Sequence, residues 1–111
     1  MFIVSSNPKF THEVKILVPS DGGHIPQSLK VTFKVIDSDE DQAERHDLNT
    51  IAGSIAFCKE VVVSLDDLVD AEEKPVPYSD ELRDRLLKLP YIRTPIARAY
   101  YDAMTKATVG N

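Results

Sequence analysis

PVPYSDELRDRLLKLPYIRTPIARAYYDAMTKA, residues 75–107, is the stretch in which turn chemistry, capping and helical periodicity agree. Pro75 and Pro77 fix their own φ and hold the residues before them extended. Ser79 follows as an N-cap, with Asp80 and Glu81 in the first turn, where the positive end of the helix dipole favours carboxylates. Leu82, Leu86 and Leu89 share one face, and Leu89-Pro90 closes this short helix or sharply bends it. A second helix carries Ile92, Ile96, Ala99, Tyr100, Ala103, Met104 and Ala107 on one stripe, with Arg98, Asp102 and Lys106 on a solvated face opposite. Pro95 fits this helix if it falls in the first turn, directly after Thr94, where a missing N–H costs little. The two helices together are expected over 79–107.

Upstream, the period changes from helical to alternating. Val14, Ile16 and Val18 point one way and Glu13, Lys15 and Leu17 the other. Leu29, Val31, Phe33 and Val35 alternate in the same manner with Lys30, Thr32 and Lys34. Pro19-Ser20-Asp21-Gly22-Gly23 joins the two strands, so the spacing predicts an antiparallel hairpin over 10–37 with one face left to be covered. Asp37 to Asp41 supplies caps and acids for a helix over 39–59, with Leu48, Ile51, Ala52 and Ile55 on its apolar face and Cys58 nearby. Gly53 costs about 1 kcal/mol there relative to alanine, which marks a close helix crossing. Glu60 to Leu65 is rich in β-branched residues and reads as a third strand, and Asp66 to Glu73 as an acidic loop. Met1 to Ser6 is an apolar edge strand or a loosely held arm. The expected fold is α+β, a single domain over 1–111: a small antiparallel sheet with about three helices packed on one face.

Composition bounds the function. The chain has 111 residues, 42% hydrophobic and 28% charged, with a net charge of -5. That is an ordinary globular balance, and its sign argues against a nucleic-acid partner, which needs a basic face. No apolar run approaches the roughly 20 residues of a membrane span, so the reading is of a soluble, unsecreted chain without a membrane partner. Cys58 is the only cysteine, and it reads as a buried, reduced thiol that matters to packing rather than to chemistry. Asp37, Asp39 and Asp41 match the start of a calcium loop, but Gln42 replaces its glycine and Leu48 its final glutamate. His12, His24 and His46 read as surface residues on a strand, a loop and a helix, with no metal-ligand spacing among them. Gly22-Gly23 lacks the lysine and hydroxyl of a phosphate loop. No catalytic residue, cofactor or metal is therefore expected, and the chain reads as a non-enzyme.

The series Val-Pro-Tyr-Ser-Asp-Glu-Leu (76–82), Leu-Leu-Lys-Leu-Pro-Tyr-Ile (86–92) and Ala-Arg-Ala-Tyr-Tyr-Asp-Ala-Met (97–104) resembles the C-terminal half of the tail assembly chaperones of long-tailed bacteriophages. That family typically carries a V-D-x-x-G-x-P-x-P-[FY]-S-x-E turn, an L-L-x-[IL]-P helix end and an A-x-x-x-A-[YF]-x-x-A final helix. The likeness covers about residues 59 to 107 and, more loosely, the N-terminal strands. Ser64-Leu65 stands where many members have Gly-Trp, and Glu73 where a turn glycine is common. The resemblance implies a non-enzymatic assembly factor of the host bacterial cytoplasm, absent from the mature virion. Its partners would be the tape measure protein and the tail tube protein. The alternative is a structural tail component, a terminator or connector subunit, that stays in the virion.

Two further expectations concern surfaces. The chain carries more apolar helical stripe than one small domain buries, which implies a homo-oligomer. For a helical tape measure segment, Ile96, Tyr100, Tyr101 and Met104 are the candidate partner-binding residues, methionine for its adaptable shape and tyrosine for its apolar body and polar tip. The competing reading is that the Ile96 and Tyr100 stripe is the core contact of the last helix. Tyr101, off that stripe, is expected to be exposed and to gain nothing from core packing.

Overall fold

A computed structural model of the chain describes residues 1–37 and 46–105. Three strands, β1 (Lys9–Ser20), β2 (Gly23–Lys34) and β3 (Val62–Asp66), form one antiparallel sheet in the order β1-β2-β3. Among the described residues three helices, α1 (Ile51–Val61), α2 (Asp80–Leu87) and α3 (Pro90–Thr105), pack against it, so the fold is α+β.

The hairpin follows from alternation. β1 and β2 pair in register from Lys9↔Lys34 to Ser20↔Gly23, leaving Asp21 and Gly22 as a two-residue turn. Gly22 takes φ 78°, a left-handed conformation that glycine adopts without the steric cost of a side chain. Val14, Ile16, Val31 and Phe33 are buried under the helices. The opposite face is polar: the Thr11 and Thr32 hydroxyls meet at 2.9 Å, Thr32 donates to Asp66 at 2.7 Å, and Ser64 donates to the same carboxylate at 2.8 Å. One face of the sheet is therefore covered and the other is wet, as the alternation requires.

Where α1 begins differs from the sequence expectation. Capping residues at 38–41 lie outside the described residues, but the helix itself starts at Ile51, with Thr50 as its N-cap and the Thr50 hydroxyl accepting from the Gly53 amide at 2.9 Å. Its buried face is Gly53, Phe57, Cys58 and Val61. Leu48 and Ile51, expected inside, are 40% and 72% exposed, Ala52 is exposed, and Ile55 is half-buried. α1 runs directly into β3, so the position of Val62 in the sheet fixes which side of the helix turns inward. Gly53 does mark a close approach, though not to another helix. A Cβ there would collide with the carbonyl of Asp47 in the preceding loop.

The C-terminal pair forms as expected at its start. Ser79, extended at φ -147° and ψ 156°, accepts from the Leu82 amide at 3.1 Å, and Asp80 and Glu81 occupy the first turn. α2 stops at Leu87, and Pro90 opens α3. Because Pro90 already holds the first helical position, Pro95 lies in the interior rather than in the first turn, and the Tyr91 carbonyl loses its usual donor four residues on. The buried residue of α2 is Leu87, whereas Leu82 and Leu86 are half-buried and Leu89 is exposed. Ala107 and Lys106 lie outside the described residues.

Between these elements runs a loop held by Asp70. Its side chain accepts from the Glu72 and Lys74 amides at 2.8 and 3.0 Å, its amide donates to the Lys74 carbonyl, and its own carbonyl accepts from the Glu73 amide. Glu73 is held there at φ 63°, left-handed backbone that favours glycine.

Candidate functional site

The last helix decides which side chains face outward. Ile92, Ile96 and Tyr100 lie inside. Tyr100 is the centre of an aromatic cluster, with ring centroids 5.4 Å from Phe57, 5.8 Å from Phe33 and 6.2 Å from Phe10. Its hydroxyl accepts from the Ile36 amide at 3.1 Å, which satisfies the one polar atom this residue brings into the core. Ile96 and Tyr100 therefore offer no surface to another molecule. Met104, 39% exposed, and Tyr101, 41% exposed, stand on the outer side.

Tyr101 is not free of the core, however. Its ring stacks on Phe57 at 5.4 Å with the planes 6° apart, and burial pushes its phenol above the ordinary tyrosine range. A stacked aromatic pair contributes about 1 kcal/mol beyond its buried area, so Tyr101 gains from packing after all.

Two shallow grooves flank the exposed ridge of α3. One, about 540 Å³, lies against the start of α1 and is lined by Leu48, Ile51, Ala97 and Tyr101 along with Arg98. The other, about 560 Å³, lies against β1 and is lined by Val14, Leu17, Tyr91, Pro95 and Ala99, with Glu13, Arg98 and Asp102 at its margins. Both are apolar floors with a charged rim. Such a surface suits docking of an apolar segment.

Two polar groups that the sequence hid are buried. Arg93 is 8% exposed, and its guanidinium donates to the Leu87 carbonyl at 2.8 Å. It thereby satisfies an orphan carbonyl at the C-terminal end of α2, where the helix dipole favours a cation. The signal was local: an arginine six residues beyond a helix end that a proline cuts off. His46 is 7% exposed rather than on the surface, and lies in a turn ahead of α1. Its Nε2 pairs with Glu60, its ring meets Phe57 edge-on at 6.0 Å, and its Nδ1 has no hydrogen-bond partner among the described residues. His12 and His24 are exposed, as expected, although His24 belongs to β2 rather than to a loop.

Cys58 is fully buried, with its sulfur 3.9 Å from the Arg93 carbonyl. Burial pushes its thiol up to about 12, with Arg93 pulling weakly the other way. At neutral pH it is a packing atom rather than a nucleophile. Among the described residues no three His, Cys, Asp or Glu side chains converge as a metal site, and no helix is long and apolar enough to cross a membrane. No family model matches the chain, nor does any curated protein or solved structure.

Proposed function

We propose that this protein is a non-enzymatic tail assembly chaperone of a long-tailed bacteriophage, which binds the tape measure protein and promotes assembly of the tail tube in the host cytoplasm. The observation that carries the reading is the backbone at residue 73. The family's turn usually has glycine there, and this chain, with glutamate in its place, holds the left-handed φ of 63° that a glycine would take. A left-handed backbone at the position where the motif has glycine supports the reading. The three motif segments also form one continuous unit, from the Asp70-centred loop through the Ser79 cap and the Leu89-Pro90 break to the end of α3. An amphipathic tape measure helix would lie in the groove between α1 and α3, against Leu48, Ile51 and Tyr101, and extend past its end over the exposed Met104, one turn further along α3.

Co-purification with a tape measure fragment from the same genome tests this. Tyr101→Ala is a poor probe because it also loses the stack on Phe57. Ile51→Asp and Met104→Glu change exposed side chains and are expected to leave the thermal melt in place while weakening co-purification. Unchanged co-purification in both would remove this groove. Mass spectrometry of purified particles should find the protein absent. Its presence in stoichiometric amounts would favour a terminator or connector subunit instead.

A further inference from the structure

Met1, Phe2, Ile3 and Val4 form no regular structure and are 78–118% exposed, so this apolar run is left uncovered by the described residues. A second unmet surface is the outer edge of β1, which among the described residues pairs with β2 on one side only. The Val35 amide donates to the Pro8 carbonyl at 3.1 Å, which fixes the parity of the ladder. Even-numbered residues of β1 bond to β2, and Lys9, Thr11, Glu13, Lys15 and Leu17 direct their N–H and C=O groups away from it. Beside Glu13–Leu17, α3 borders that edge and forms the groove with Tyr91, Pro95 and Ala99.

We propose that Phe2-Ile3-Val4 of one copy docks as an added strand against Glu13–Leu17 of a second copy of this chain, with Phe2 and Val4 in the groove. Alternate residues of an extended strand share a side, so these two enter together and Ile3 faces out. Reach selects the second copy. With Pro8 held in the ladder by Val35, an arm folding back through Ser5, Ser6 and Asn7 sets Val4 opposite Pro8 and Phe2 opposite Phe10, short of Glu13. An uncovered apolar run and an open strand edge are each liabilities alone, and pairing them satisfies both. The proposal does not depend on the tape measure reading, since it needs only this chain.

Sedimentation velocity on the full chain across a concentration series tests it. The wild type is expected to associate, and Phe2→Asp with Val4→Asp should weaken association at least about tenfold while leaving the circular dichroism unchanged. Lys15→Pro should weaken it equally, because the amide it removes points away from β2 and the hairpin ladder survives. Mixing the arm variant with the edge variant should restore association, since each supplies what the other lacks. If Lys15→Pro fails to fold, hydrogen exchange on the wild type decides the same point: the Lys15 and Leu17 amides should slow on association. A monomer at every concentration, association indifferent to the arm variant, or rapid exchange at Lys15 and Leu17 in the associated state would each overturn the proposal.

Discussion

Gly53→Ala separates what helix propensity implies from what the packing imposes. On propensity alone the change should stabilise α1 by about 1 kcal/mol. The structure reverses the sign. A Cβ at 53 lies 2.7 Å from the Asp47 amide nitrogen and from its carbonyl carbon, closer than real Cβ atoms approach, and the obstacle is backbone that cannot swing aside. Making room displaces the 47–50 turn. That turn is closed by the Thr50 amide and hydroxyl, which donate to the Asp47 carbonyl at 3.0 and 2.9 Å, and the same hydroxyl caps the helix. Losing the cap costs about 1 kcal/mol, and each hydrogen bond about 1 kcal/mol more. Set against the propensity gain, the net is a loss of about 1 to 2 kcal/mol. For a domain of this size each kcal/mol lowers the melting temperature by roughly 4–8 °C. Urea and thermal unfolding would be read against Ala52→Gly, an exposed neighbour expected to lose only about 1 kcal/mol from propensity. A Gly53→Ala variant as stable as the wild type, or more so, would refute the close approach of the 47–50 turn.

The Cys58 thiol, raised to about 12 by burial, makes stability sensitive to alkali. Below the unfolded value of 9.0 both states are protonated and the contribution is whole. As pH rises from there towards 12 the unfolded thiol ionises alone, and stability falls by about 1.4 kcal/mol per pH unit. Cys58→Ala should be slightly less stable at neutral pH, with the gap to the wild type closing above pH 9 in urea titrations. A gap that stays constant would show an exposed thiol. At residue 73 the left-handed backbone costs a non-glycine residue about 1 kcal/mol, and glycine gives back about half of that in chain entropy. Glu73→Gly is therefore expected to raise stability by about 0.5 kcal/mol in denaturant titrations, and Glu73→Val to lower it.

Much of the fold was legible because its signals are local. Period-two alternation in Val14, Ile16, Val31 and Phe33 sets the hairpin, and its register follows once Asp21-Gly22 closes the turn. Ser79 caps α2 with its own side chain, and Leu89-Pro90 separates two helices through the chemistry of a single bond. These effects act within a few residues, so neighbours in sequence suffice to specify them.

What the tertiary structure decided is which of several permitted faces turns inward. An 11-residue helix offers more than one apolar stripe, and α1 buries Phe57 and Val61 rather than Ile51 and Ala52 because its end continues directly into β3, while Leu48 falls in the turn before it. Gly53 contributes no apolar surface to a periodicity count, yet it lets the Asp47 turn lie flat on the helix. Arg93 and His46 carry charge or polarity that sequence reasoning assigns to the surface. Both are buried because partners distant in sequence or in another element, the Leu87 carbonyl and Glu60, meet them there. The core position of Tyr100 is likewise a three-way contact among α3, α1 and the hairpin. Burial is a property of what an element packs against, and for Tyr100 the residues that supply it, Phe10, Phe33 and Phe57, lie tens of positions away.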